Sequence, residues 1–202
     1  MPSASWIKPL LLGSALIAAS TPALSAESPW LVRVGISKVV PTSDSGSILP
    51  GEIDIDSDTG PTFNIAYFLT PNLAIDVLGG LPLQHDIKLN GSKVGDTKQL
   101  PPIVTLQWHF LPEAQVRPFV GVGLNYTYFY DEKLDNGAKL ELSDSWGLAF
   151  QAGLDVALDD NWSVGGDVRY AKIDSSVKIA GEKVGSVDVD PFVYSLNLAY
   201  RF

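Results

Sequence analysis

From Trp30 onward, bulky apolar residues recur at every second position, and the residues between them are small or polar. Such a period of two marks a strand with two unlike faces. Eight stretches carry it. Trp30, Val32, Val34 and Ile36 alternate with Leu31, Arg33, Gly35 and Ser37, and Phe63, Ile65, Tyr67 and Leu69 with Thr62, Asn64, Ala66 and Phe68. Leu73, Ile75 and Val77 alternate with Ala74, Asp76 and Leu78; Val104, Leu106, Trp108 and Phe110 alternate with Ile103, Thr105, Gln107 and His109. Longer runs follow over 116–130, 145–158, 162–171 and 192–202, the first placing Val120, Val122 and Leu124 opposite Phe119, Gly121 and Gly123.

The chemistry of the two faces decides between architectures. A soluble sandwich would turn Lys, Glu and Asp outward on its polar face. Here the bulky face is opposed by Gly, Ala, Ser, Asn and a few charges, which suits lipid on the outside and a crowded polar lumen within. Each run is long enough to cross a bilayer at a tilt. The connections alternate strictly: long segments at 41–60, 82–99, 131–144 and 174–190 separate short turns at 70–72, 111–115 and 159–161. Long outer loops and short periplasmic turns are the rule for outer-membrane barrels. The expected fold is therefore all-β, an eight-stranded antiparallel up-and-down transmembrane β-barrel with both ends on the periplasmic side. Threaded so, Trp30, Tyr67, Trp108, Phe110, Trp162, Tyr200 and Phe202 form a periplasmic aromatic belt. Tyr126, Tyr128, Tyr130, Trp146, Tyr170, Phe192 and Tyr194 form an outer one, as interfacial rings prefer.

Ahead of the strands lies a short basic stretch ending at Lys8, an apolar run over 10–19, and the small-residue segment Ser20–Ala26. This is the pattern of a cleaved secretory signal; Ala23-Leu24-Ser25 meets the small-x-small rule, and a cut after Ala26 also fits. The organisation expected is a signal peptide over 1–26 and one barrel domain over 27–202.

Composition narrows the function. With 14 Lys and Arg against 23 Asp and Glu, the chain carries a formal charge of −9. That speaks against a nucleic-acid partner, which needs a basic face. The absence of cysteine removes disulfides, thiolate metal sites and a cysteine nucleophile. Asp54, Asp56 and Asp58 form an acidic run, but Thr59 and Ile65 stand where a helix–loop–helix calcium loop needs Gly and Glu. His85 and His109 lack the spacing of a zinc site, and no serine sits in a hydrolase elbow. No metal, no cofactor and no catalysis are expected.

Most of the acidity falls in the long segments, whereas the inward face holds Arg33, Asp76, Arg117, Asp155, Asp167, Arg169 and Arg201. Four positive and three negative charges in a narrow interior should pair. An eight-stranded barrel is just wide enough for side chains to fill, so a plug is favoured over an ion path. The inward face also carries Leu78, Ile103, Phe119 and Phe129, assigned to its outer half. Bulky apolar groups there suggest a pocket for a small hydrophobic molecule. Lys88–Gly95 and Lys178–Gly185 are similar to each other, and each is expected to form a hairpin above the membrane.

Five segments, PWLVRVGISKVVP (29–41), LPPIVTLQWHF (100–110), RPFVGVGLNYTYF (117–129), DSWGLAFQAGLD (144–155) and DPFVYSLNLAYRF (190–202), resemble the OmpW family of outer-membrane proteins. The resemblance implies a narrow hydrophobic passage for uptake of small apolar molecules, with Leu78 near its closed end. It departs at Arg169, where relatives are expected to carry a luminal aromatic. Terminal Phe202 looks like the signal read by the outer-membrane assembly machinery. Expected partners are thus outer-membrane lipid and lipopolysaccharide, that machinery, and small hydrophobic solutes. The expected function is passive passage of such solutes. The rival is a closed structural or adhesive barrel, or a receptor, whose outer loops bind partners without transport.

Overall fold

The computed structural model describes residues 28–42, 47–48, 51–80, 83–89, 92–100, 102–134, 139–179 and 181–202. The expected signal peptide, and the hairpin tips at residues 90–91 and 180, lie outside them. Eight strands span the barrel: β1 (Trp30–Val40), β2 (Asp58–Phe68), β3 (Leu73–Gly80), β4 (Ile103–His109), β5 (Val116–Leu134), β6 (Ser145–Ala157), β7 (Trp162–Ala171) and β8 (Phe192–Arg201). Each pairs antiparallel with its sequence neighbours. The sheet closes where β1 meets β8, from Leu31 opposite Arg201 to Val40 opposite Phe192. Closure leaves no open edge in the spanning wall, the condition for strands to cross a lipid bilayer.

Strand alternation puts the predicted faces where expected. Val34, Ile36, Phe63, Leu106, Val122, Leu148 and Leu198 are exposed on the outer wall, while Arg33, Asn64, Asp76, Gln107, Gln151 and Arg169 are buried inside. A water-soluble fold would invert this arrangement. Both belts form. At the turn end Trp30 meets Tyr67 edge-on at 4.8 Å, Trp162 meets Tyr200 at 4.9 Å, and Tyr200 meets Phe202 at 5.0 Å. At the other end Tyr126 packs on Trp146 at 4.7 Å and Tyr170 on Phe192 at 5.4 Å. The side chain of Tyr130 lies outside the described residues.

Short turns are fixed by side-chain acceptors. Asp159 accepts hydrogen bonds from the backbone N–H groups of Asn161 and Trp162, at 2.9 and 2.7 Å. Across the next gap Asn161 donates to the Arg201 carbonyl at 2.8 Å, and Asn72 donates to the His109 carbonyl at 2.7 Å.

The long segments are more ordered than plain loops. Strands continue past the belt as Leu83–Leu89, Ser92–Leu100, Asp174–Ile179 and Glu182–Asp188, with shorter pieces at Ser47–Ile48, Gly51–Ile55 and Leu140–Leu142. The two similar sequences form matching hairpins. Lys88 pairs with Lys93 after a register shift beyond Ile87, and Lys178 pairs with Lys183 after a shift beyond Val177. A bulge at the same place in both makes the likeness one of backbone as well as sequence.

Candidate functional site: a lumen in two sections

Inside the barrel the chemistry changes with depth. At the turn end Leu31, Ala66, Phe68, Ala74 and Ala199 form a small apolar base. Above it stand the charges, and above these a second apolar section.

The charged layer is built from four strands. Arg33 on β1 donates to Asp155 on β6 at 2.7 Å and to Asp76 on β3 at 3.3 Å. Arg169 on β7 reaches Asp76 at 3.2 Å and lies 2.9 Å from Asp167. Asp76 thus holds two guanidinium groups, and Asn64 donates to it at 2.9 Å. Uncharged groups extend the lattice. Gln151 donates to Asp167 at 3.1 Å and accepts from Gln107 and Thr105 at 2.9 and 3.1 Å, while His109 bonds Gln107 at 3.2 Å. The Arg33 and Arg169 side chains are 1% exposed. Charges removed from water this completely persist only when paired and hydrogen-bonded. The lattice crosses the lumen from wall to wall.

Two glycines make room for it. A Cβ on Gly153 would lie 2.6 Å from both Asp167 Cβ and the Phe119 ring, and a Cβ on Gly165 would collide with the Asp155 carboxylate. Close approach of side chains to bare backbone is the reason for glycine at these strand positions.

Five of the seven inward charges make up this layer. Arg117 instead donates to the Ala114 carbonyl at 2.9 Å, and Arg201 stacks over Phe68 at 4.2 Å. Both line a polar recess of about 420 Å³ at the turn end with Glu113, Gln115, Asp159 and Asp160. They lie at the turn-end limits of their strands, Arg117 directly across the β5–β6 ladder from Asp155.

The outer section is apolar. Leu78, Ile103, Phe129, Ala149, Ala171, Ile173, Val177, Val187 and Val189 are buried together with Leu140, and Val94, Leu134 and Val184 pack against them. Leu78 and Ile103 face each other across the β3–β4 ladder, immediately above Asp76. Of the four apolar lining candidates, Leu78, Ile103 and Phe129 belong here. Phe119 does not. It sits three residues after the start of β5, opposite His109, stacks on that imidazole at 5.0 Å and lies beneath the Arg33 guanidinium at 5.4 Å. Its assignment to the outer half is corrected: β5 is 19 residues long, so a residue near its beginning stays at the turn end.

Sequence reading missed two groups. The neutral members of the lattice, Asn64, Thr105, Gln107 and Gln151, were visible only as polar residues on the inward face. The upper lining (Ile173, Val177, Val187 and Val189) flanks the expected hairpin at Lys178–Gly185, which was placed above the membrane and not assigned to the lining. Its signal was present, since these residues keep the two-residue period of the strands below them.

Terminal Phe202 is 57% exposed, and its backbone N–H donates to the Trp30 carbonyl at 3.1 Å.

The comparisons agree with this geometry. The OmpW family matches residues 27–202. Outer membrane protein W of Vibrio cholerae serotype O1 is 34% identical over 217 residues, covering 97% of this chain and all of that protein. Dibenzothiophene metabolism operon protein PahQ of Pseudomonas aeruginosa is 25% identical over 200 residues, covering 93% and 95%. The crystal structure of the outer membrane protein OprG from Pseudomonas aeruginosa superposes with a TM-score of 0.78 at 29% identity, covering 87% of this chain and 97% of that one. Wall, belts, lumen and relatives lead to one placement: the chain belongs to the OmpW family and is a β-barrel of the outer membrane.

Proposed function

We propose that the barrel takes small hydrophobic molecules from the outer surface into its apolar outer section and releases them sideways into the membrane, without catalysis. The observation that carries this reading is the change of lining at Leu78 and Ile103. An apolar section large enough to involve nine strand and hairpin segments lies on top of a lattice of buried charges. An apolar solute exchanges water for hydrocarbon above that boundary, and below it could advance only by parting buried ion pairs that it cannot replace. Such linings with few polar groups are typical of sites for small apolar ligands.

The proposed lateral exit lies on the β2–β3 side of the wall. The β2–β3 ladder runs from Phe68 opposite Ala74 to Thr62 opposite Gly80. Next in the chain stands Pro61, which has no N–H to donate to a ladder, and the proposed exit is placed beside it, at the level of the apolar section. The name of PahQ, which refers to an operon for metabolism of an aromatic thiophene, fits the same solute class.

The test is uptake by vesicles holding the purified barrel, with a panel of apolar and polar solutes of similar size. Apolar solutes should enter faster than into protein-free vesicles, and Leu78→Arg should slow them about tenfold, since each desolvated charge costs at least that much. Equal rates for polar and apolar solutes, or no rate above bare lipid, contradict the proposal; the latter favours the receptor reading.

A further inference from the structure

A groove of about 540 Å³ crosses the outer wall of β6, β7, β8 and β1. Its floor exists because two lipid-facing positions are small. Gly166 stands between Leu154 and Leu196, and Ala152 stands beside Val168. Without a side chain at Gly166, Leu196 is left 67% exposed where most outward residues are near one half. Ile36, Leu154, Val168 and Leu196 run along it, and Asp167 and Ser195, buried on the inward face of their strands, also border it.

One end of the groove is different. Lys38 lies opposite Tyr194 on β8 and opposite Thr59 on β2, and all three line the groove. Lys38 is exposed on the lipid-facing side, two residues from the outer end of β1, level with the belt formed by Tyr170, Phe192 and Tyr194. A lysine there runs its methylene stem along the wall and holds its ammonium at headgroup depth. The wall thus joins an acyl-wide apolar trough to a cation, a phenol and a hydroxyl at the membrane surface.

We propose that this groove is a specific site for a phosphorylated glycolipid of the outer leaflet, one acyl chain lying across Gly166 and Ala152 and a phosphate resting on Lys38. The argument for this occupant is complementarity at both ends. A hydrocarbon chain fills a concavity that leaves Leu196 uncovered, and an anionic phosphate meets the one cation in the lining. A second copy of the barrel would bring another Lys38 against the first or leave it facing hydrocarbon. The site is independent of the lumen and of the uptake reading.

Native mass spectrometry of the full barrel, released from detergent with bisphosphorylated lipid A or with phosphatidylethanolamine, tests it. Lipid A should be retained about fivefold better, the worth of one lysine at an anionic headgroup, and Lys38→Gln should remove that preference. Ala152→Leu and Gly166→Leu should each cut retention of lipid A by about threefold or more by filling the trough. Lys178→Gln, on an outer hairpin, should leave it unchanged. Because Gly166→Leu also presses on the Leu196 side chain, Ala152→Leu is the variant read if the first fails to fold. Equal retention of the two lipids, lipid A retention unaffected by Lys38→Gln and Ala152→Leu, or a dimer that Ala152→Leu dissociates would each overturn the proposal.

Discussion

Asp76 and Leu78 are two residues apart on one strand, both point inward and both are buried, yet they belong to different worlds. Asp76 holds Arg33, Arg169 and Asn64; Leu78 meets Ile103 and the apolar residues above it. The lower section is an electrostatic lattice joined across the lumen, and the upper is a hydrocarbon lining continued into the outer hairpins. What the difference teaches is that one scaffold with one alternation sets lipid contact uniformly outside while leaving the inside free to change chemistry within a single step of 6–7 Å or so. The step is where the charged lattice ends and the apolar section begins.

Removing the anion at its centre breaks the comparison most severely. Asp76→Ala leaves Arg33 and Arg169 buried without their shared partner and should cost about 3–5 kcal/mol, read as a lowered urea midpoint for loss of the folded band in a gel-mobility assay. Leu78→Ala, two residues on, should cost less, about 2 kcal/mol, because only packing is lost. A smaller loss for Asp76→Ala than for Leu78→Ala would show that the lattice is not what holds the lower section. Gln151→Leu strips partners from Thr105, Gln107 and Asp167 together and should cost about 1–2 kcal/mol, with uptake of apolar solutes unchanged.

The smallest effect lies at the periplasmic turn. Backbone N–H groups of Trp162 and Asn161 hold the Asp159 carboxyl below its ordinary value of 3.8. A depressed folded value means that the carboxylate stabilises the fold above the unfolded value, and that this contribution fades as pH falls through the folded one. Asp159→Asn should therefore flatten a slight loss of stability in that acidic window, measured as urea midpoints at a series of pH values; an unchanged profile assigns the acid sensitivity elsewhere.

Much of this was legible in the residues themselves. The alternation placed all eight strands, both belts and the closing pair of β1 and β8, because lipid enforces apolar side chains at every second position. The charges on the inward face were also visible, but their pairing was not. Arg33 reaches Asp155 across 122 residues, and such partners are chosen by depth in the barrel rather than by spacing. Depth likewise displaced Phe119 from the outer section. The outer hairpins at Lys88–Gly95 and Lys178–Gly185 were legible as hairpins, but the apolar lining carried by Val177, Val187 and Val189 was not, because Lys178, Glu182, Lys183 and Asp188 interrupt it with charge.

The boundary itself is most directly tested by methyl NMR of the barrel in lipid nanodiscs, titrated with a small apolar solute. The account predicts saturable shifts for Leu78, Ile103, Ile173 and Val189, and none for Leu31, which lies beneath the charges. Shifts of equal size at Leu31, or none in the upper set, would contradict it.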